Sequence, residues 1–529
     1  MAIKKNAKSA SKSAGAKTTR KQKTTKTKTN AKPSAAGTDP IVAPGSPGQF
    51  RARVRMYRQG LGDCFLITFP QSGKPVHVLI DCGVLVGTAD KMKTIVAHIR
   101  DTILDGNTAG KAHIDVLVAT HEHKDHLSGF NQARDLFNND FDIGSVWLGW
   151  TENLTKAEIK KIKEAKKKAA LMLRAAMSGP MAAASDTPFG AVKSLLAFAD
   201  DDDTSGSGTI AEALEYLKLR GKNAGDLRYL EPGTGPIEVK GVKGVRAFVL
   251  GPPRDPILLK GSEVTEADKN NDVIYHLSRT GEVGVDALAA AVTTVPGSDG
   301  DRYYPFAAEH RIPRVINDPL HPRKTRRNPN FSGIASFVTA TYDKPAEAWR
   351  RIDHDWLVAF GQLALDLDSD TNNTSLVLAF EFTETREVLL FVGDAQVGNW
   401  KSWATVKYDI PGQTKPMPAH DLLARTVFYK VGHHCSHNAT LKNGGLELMQ
   451  HDDLVAFIPL DKATAKAQGK KDEHGVPKGW DMPAAPLFKA LNERAKNRVV
   501  ISDVNETLTP EAGQAGVIAT DTYIDYFLA

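Results

Sequence analysis

The chain holds 529 residues, 41% of them apolar, enough for one large domain with insertions or for more than one domain. Its net charge of +6 sits in the first 40 residues, which hold eleven Lys or Arg and one acid; the rest is at −4, so the basic balance says little about the body. No apolar run approaches transmembrane length and the start lacks an apolar signal region, while three cysteines, Cys64, Cys82 and Cys435, make no disulfide framework, so a cytoplasmic protein is expected.

Residues 1–48 are Lys, Thr, Ser, Ala and Gly with almost no large apolar side chain, which predicts a disordered basic tail. It reads as a solubilising tail, as a loose salt-dependent arm for nucleic acid, or as a targeting segment. The folded part, 49–529, begins with strands at 51–57, 65–69 and 76–80, separated by the turn Gly60-Leu61-Gly62-Asp63-Cys64. A helix is expected over 89–105, with Met92, Ile95, Val96 and Ile99 on one side. A buried strand, 113–119, then empties into His121-Glu122-His123-Lys124-Asp125-His126, and a helix over 127–137 and a strand over 143–148 follow.

Residues 151–240 read as a mostly helical insertion. Thr155 and Glu158 suggest a capping box, and Ile159, Ile162, Ala165, Ala169 and Leu173 an apolar face. The seven lysines between Lys156 and Lys168 read as a solvated face or as a phosphate-contacting ridge. Asp200–Asp203 reads as a surface loop, with cation binding as the alternative. After a strand at 245–250, a second insertion, 256–370, carries Arg323-Lys324-Thr325-Arg326-Arg327 with Phe331 beyond it: a solvated loop, or a contact for single-stranded nucleic acid. Strands at 375–380, 388–392, 426–431, 454–459, 498–502 and 522–528 and a helix at 485–496 complete the α/β pattern.

Three imidazoles and a carboxylate within six positions, straight after a strand, suit zinc, manganese or iron better than any packing role. Two later apolar strands also end in ligand-type residues, at Gly393-Asp394-Ala395 and at Gly432-His433-His434-Cys435-Ser436-His437. Each of these is weak alone. Together with Gly60–Asp63, Ile80-Asp81-Cys82-Gly83, Val249-Leu250-Gly251-Pro252-Pro253 and Asn372-Asn373-Thr374-Ser375-Leu376-Val377-Leu378, they resemble the metallo-β-lactamase fold superfamily. The likeness is to its competence type, the hydrolase domain of bacterial DNA-uptake channels and its free-standing relatives.

That resemblance implies a four-layer αββα sandwich with large insertions and two metal ions, zinc or else manganese or iron. His121 and His123 would hold the first metal, Asp125 and His126 the second, and Asp394 would bridge. One of His433 and His434 would complete the second position. Asp81 and Asp63 would orient ligands or cap turns. Where many members have a further His, this chain has Asn372 and Asn373, leaving the first metal a ligand short. Each cysteine reads as a small residue in a tight place or as a reactive thiol.

The implied reaction is hydrolysis by a metal-bound hydroxide. Asp125 lies at its centre, and His437 or the spare member of the His433/His434 pair would be the proton donor. The N-terminus of the helix near His126 would favour a phosphate. A phosphodiester or nucleic-acid substrate comes first. A small ester, lactone, thioester or amide, or a quiet binding protein on the same fold, are the alternatives.

Overall fold

The computed structural model describes residues 50–107, 110–164, 166, 167, 208–259, 337, 340, 341, 368–468 and 479–529. The basic tail, Ala165, Ala169, Leu173, Asp200–Asp203, Arg323–Arg327 and Phe331 all lie outside the described residues.

The apolar runs form two mixed sheets. In the first, eight strands stand in the order Val517–Ala519, Tyr523–Leu528, Ala52–Tyr57, Cys64–Phe69, Val76–Cys82, Val116–Ala119, Val146–Gly149 and Leu227–Leu230. The second has seven, in the order Val499–Ile501, Val455–Ile458, Thr426–Lys430, Val388–Phe391, Val377–Phe382, Val245–Gly251 and Ile237–Glu238. Side chains from both sheets share one apolar core. Phe65 meets Phe391 edge-on at 5.7 Å, Phe69 meets Phe380 at 6.2 Å, and Phe428 stacks on Tyr526 at 5.7 Å. Burying one such aromatic ring contributes about 1.5–3 kcal/mol.

The opposite faces are covered by helices. Met92, Ile95 and Ile99 of helix Ala89–Leu104, Leu127 and Phe130 of helix Lys124–Gln132, and Ala213 and Leu217 of helix Ile210–Asn223 pack against Leu66, Leu79, Leu117 and Val146 of the first sheet. Helices Val397–Ser402 and Ala485–Arg494 bring Trp400, Leu487 and Leu491 onto Leu390, Tyr429 and Ile501 of the second. No helix among the described residues is long and apolar enough to cross a membrane.

Parallel pairing sets the ends of the chemistry-bearing strands side by side. Ile80 stands opposite Val118, and Lys430 stands opposite both Phe391 and Phe457. The Leu376 N–H donates to Thr120 O at 2.9 Å, tying the two sheets at the same end. The loops that follow these carboxyl ends therefore meet, the usual place for a site in such sheets.

The expected elements differ from this structure at four places. The strand over 113–119 is two strands: Ala112–Ile114 pairs with Phe141–Ile143, and only Val116–Ala119 joins the large sheet. Asp115 breaks the run by accepting from the His77 N–H at 2.8 Å. The helix expected from Leu127 starts at Lys124, which puts Asp125 and His126 in its first turn, and it breaks at Ala133. The stretch 151–240 also holds the sheet strand Leu227–Leu230, whose apolar residues are separated by Arg228 and Tyr229. Finally, Thr155 bonds Asn153 Oδ1 rather than forming a box with Glu158; the capping box is made by Thr209 and Glu212.

Candidate metal centre

The glycine turns explain how the H-x-H-x-D-H loop is seated. A Cβ on Gly83 would lie 2.4 Å from Asp125 C and from His126 N, and one on Gly62 would lie 2.5 Å from Asp125 O. Gly62 also has φ +150°, open to glycine alone without strain. With both positions bare, the turn backbone lies directly against the loop, and Asp63 N–H donates to Asp125 O at 2.9 Å.

Among the described residues, Asp63, His126, Asp394 and His434 form a buried group able to hold a metal ion, each offering one ligand atom within 4.8 Å of the others. The distances sharpen which atoms face inward. Asp125 Oδ2 lies 2.8 Å from His434 Nε2 and 3.6 Å from His126 Nε2. Asp394 Oδ2 lies 3.2 Å from His126 Nε2 and 3.6 Å from His434 Nε2. A tetrahedron with bonds of ~2.0–2.1 Å has edges of ~3.3 Å, so these four atoms bracket the spacing of one zinc-like ion. His126 Nε2 and Asp394 Oδ2 are buried and make no hydrogen bond, which fits groups aimed at a cation.

Asp63 stands behind this set. It faces the Nδ1 sides of His126 and His434, at 3.8 and 4.0 Å, and its closest partner is Lys430 Nζ at 2.5 Å. We therefore place Asp125, not Asp63, with the inward-facing atoms.

Each imidazole is anchored by its other nitrogen. His126 Nδ1 donates to Asp81 Oδ2 at 2.8 Å, and His434 Nδ1 to Pro459 O at 2.6 Å. The single Thr120 hydroxyl proton goes to Asp81 Oδ2 at 2.7 Å, so Thr120 Oγ1 accepts from His121 Nδ1 at 3.1 Å. These bonds turn the Nε2 atoms of His126 and His434 inward, the orientation that ligand histidines require. Asp394 Oδ1 is held by the His433 N–H at 3.0 Å and by Lys430 Nζ at 3.2 Å, leaving only Oδ2 free.

The electrostatics follow from burial and from the carboxylates. Burial opposes charge on His126, but Asp394, Asp125, Asp63 and Asp81 drive its pKa well above the ordinary histidine value. His434 is raised against burial by Asp394 and Asp125. Burial pulls His121 well down, and His123 and His433 to about 4 each. Burial likewise opposes charge on Asp394, yet His126, Lys430 and His434 hold its carboxyl far below the usual range. Asp63 is raised by burial to about 6 even with Lys430 beside it. Asp368 is pushed well up by burial and by Asp125 and Asp394.

His121 and His123 lie beside this set, with His121 Nε2 3.0 Å from His123 Nδ1. Of the adjacent pair, His434 supplies the inward ring. His433 contributes its backbone N–H, and its ring turns to Ser436 Oγ at 2.7 Å and Gln396 Nε2 at 3.1 Å. His433, His434 and Cys435 all have positive φ, at 43°, 49° and 65°. That run of left-handed backbone, costing about 1–3 kcal/mol per residue, turns the two rings apart. It also accounts for the glycine that the resemblance places at 435. His437 is half-buried with Asp481 as its charged neighbour, and no hydrogen bond among the described residues joins it to the cluster. All three thiols are buried and none belongs to the cluster; burial pushes Cys64 and Cys435 upward.

Four contributors were not read from the sequence. Lys430 is a fully buried ammonium inside an apolar strand. Asp368 lies at the end of the second insertion, where acidic residues alternate with leucines. Lys163 and Lys166 turn inward from the helical residues 157–164, 166 and 167, while Lys160, Lys161 and Lys167 stay exposed. Lys163 pairs with Glu122, inside the H-x-H loop, and with Glu152. Lys166 Nζ reaches Thr371 Oγ1 at 3.3 Å. Isoleucine spacing was the available signal: Ile159 and Ile162 seat this helix on Trp150 and Leu259.

No family model matches the chain, and no curated protein matches it.

Proposed function

We propose that this chain is a metal-dependent hydrolase on a metallo-β-lactamase-like αββα sandwich, acting on phosphodiesters, with nucleic acid as the leading substrate class. One observation carries the reading: Asp125 Oδ2 and His126 Nε2 from one helix turn, and Asp394 Oδ2 and His434 Nε2 from the ends of two strands, converge at 2.8–3.6 Å. Two sheets packed face to face, with helices on their outer faces, support the fold assignment.

These four residues would hold the ion, with zinc favoured by the mixed imidazole and carboxylate set and manganese or iron as substitutes. A bound divalent ion supplies Lewis acidity and lowers the pKa of a coordinated water. The chain's own groups do the rest. Asp81, Thr120 and Pro459 fix the imidazoles. Lys430 neutralises Asp63 and the outer oxygen of Asp394. Lys166 is attracted by Glu122 and Asp370 against its burial, and it stands near enough to His123 to disfavour charge there. A cation so placed favours an anionic substrate over a neutral ester or amide.

The test is turnover by zinc- or manganese-loaded protein of bis(p-nitrophenyl) phosphate, single-stranded DNA, double-stranded DNA and nitrocefin. Cleavage of one or more phosphodiesters, lost in Asp394→Ala, is expected. Turnover of nitrocefin alone would move the protein to amide hydrolysis, and turnover of none, with metal bound, would remove the hydrolase reading.

A further inference from the structure

The helical residues 157–164, 166 and 167 of the first insertion divide their lysines between two faces. Ile159, Ile162, Lys163 and Lys166 recur at the three- and four-residue spacing of one helical face and turn toward the protein. The same period sets the opposite face. Lys160, Lys161, Glu164 and Lys167 lie on it, and each is exposed. Lys160 and Lys167, two turns apart, stand about 10 Å from one another along the axis.

The inward face fixes where that ridge stands. Lys163 Nζ is shared between Glu122, the middle residue of the H-x-H loop, and Glu152 Oε2 at 2.7 Å, just past the carboxyl end of strand Val146–Gly149. Lys166 Nζ reaches Thr371 Oγ1 at 3.3 Å, and the next residue, Asn372, comes within 3.5 Å of His433 Nε2. Ile159 and Ile162 seat the helix on Trp150 and Leu259. One face is thus tied to the metal loop and to the turn beside His433, and the other meets solvent next to the centre.

The charges of the outward face are uncompensated. Lys160, Lys161 and Lys167 make no ion pair or hydrogen bond among the described residues, whereas Lys156 of the same segment pairs with Glu231 at 2.7 Å. Against these three ammonium groups the face sets one carboxylate, Glu164; Glu158, at its edge, lies 3.7 Å from Arg254. Three positive charges less one leave +2 on this face, in a body that carries −4 overall. The face also has no large apolar side chain, so it lacks the buried anchor on which a protein partner depends. A row of bare lysines suits phosphates, which need no such anchor.

We propose that this outward face is a docking ridge for the backbone of a nucleic-acid strand, which it holds beside the metal centre. The proposal rests on the hydrolase reading above and gives the first insertion its role. Lys160, Lys161 and Lys167 each take one phosphate, away from the bond to be cleaved. Such contacts are independent of base sequence and weaken with salt. They count for a long substrate and not for one that has a single phosphodiester.

The experiment uses the zinc-loaded full chain. Binding of a fluorescein-labelled phosphorothioate oligothymidylate, which resists cleavage, is followed by anisotropy over about 0.05–0.3 M salt. Turnover of bis(p-nitrophenyl) phosphate is measured beside it. Wild type is compared with Lys160→Gln/Lys161→Gln/Lys167→Gln and with a control, Lys243→Gln/Lys415→Gln/Lys489→Gln, that removes three exposed lysines elsewhere. Glutamine keeps the helix propensity of lysine, and far-UV circular dichroism checks folding. Three lost contacts at ~0.7 each should lower the slope of log affinity against log salt by about 2, and affinity at about 0.1 M salt by about 100-fold. Turnover of bis(p-nitrophenyl) phosphate should equal that of wild type, and the control should bind as wild type does. Unchanged slope and affinity in the ridge variant, or an equal loss in the control, would overturn the ridge. A matching loss of bis(p-nitrophenyl) phosphate turnover would overturn it too. Wild type that turns over bis(p-nitrophenyl) phosphate without binding the oligonucleotide overturns the ridge and leaves the hydrolase standing. No turnover with metal bound removes the hydrolase reading, and the ridge with it.

Discussion

Replacing Gly83 with alanine puts a methyl group where the metal loop already has backbone. The new carbon would lie 2.4 Å from Asp125 C and His126 N and 2.5 Å from Asp125 O, whereas ordinary contact begins near 3.4 Å. Backbone cannot rotate away as a side-chain tip can, so the turn and the loop must separate by about 1 Å. That displacement carries Asp125 and His126 away from Asp394 and His434, whose inward atoms they now approach to 2.8–3.6 Å. Metal sites tolerate about 0.2 Å in ligand distance. Misplacement by 1 Å at an active site is worth about 100-fold in rate, and overpacking of this kind destabilises by about 1–3 kcal/mol. Zinc titration and urea denaturation of Gly83→Ala read both effects. Zinc affinity and stability both equal to wild type would refute the view that turn-to-loop contact sets the ligand geometry.

Two further outcomes follow from the electrostatics and the core. In chelator-stripped protein His126 and His434 have raised pKa values, so the stability they contribute is complete below the unfolded histidine value of about 6.5 and is lost as pH rises through the folded values. Zinc must displace those protons. The rise in melting temperature on adding zinc should therefore grow from about pH 6 to pH 8; a rise that shrinks over that range would contradict His126 and His434 as ligands. Away from the centre, Arg55 pairs with Asp525 of the neighbouring strand at 2.7 and 2.6 Å, both side chains being buried. Asp525→Ala leaves that guanidinium unpaired and should cost about 3–5 kcal/mol in urea unfolding with zinc stoichiometry unchanged. A cost under about 1 kcal/mol, the range of an exposed pair, would show that water reaches Arg55.

Much of this centre is legible in the sequence because ligand-type residues follow apolar strands, and sheet pairing brings strand ends together whatever the loops do. His121 to His126, Asp394 and the His433–His434 pair are visible on that ground alone. What one sequence leaves open is orientation. Both His433 and His434 follow the same strand, and only the left-handed backbone from His433 to Cys435 turns one ring in and the other out. Lys430 passes unremarked inside the apolar strand 426–431, since its two carboxylate partners are far away in the chain. Asp368 is hidden for the opposite reason: it lies among Asp366, Asp370 and Ser369 at the end of the second insertion, and only one helical turn buries it against Asn372. The strand Leu227–Leu230 escapes because an edge position tolerates Arg228 and Tyr229. The Thr155 cap fails because Asn153, two residues earlier, offers a competing oxygen at 2.6 Å.

The most direct test of the central claim is metal content. Wild type and His434→Ala would be purified without a metal-binding tag, desalted, and measured by inductively coupled plasma mass spectrometry, with melting curves in added zinc and manganese. Wild type should retain a transition metal and melt higher when more is supplied, and His434→Ala should hold at least one equivalent less, since it loses one of the four convergent atoms. Wild-type protein that carries no transition metal, and whose melting neither zinc nor manganese moves, would contradict the metal centre and the hydrolase built on it.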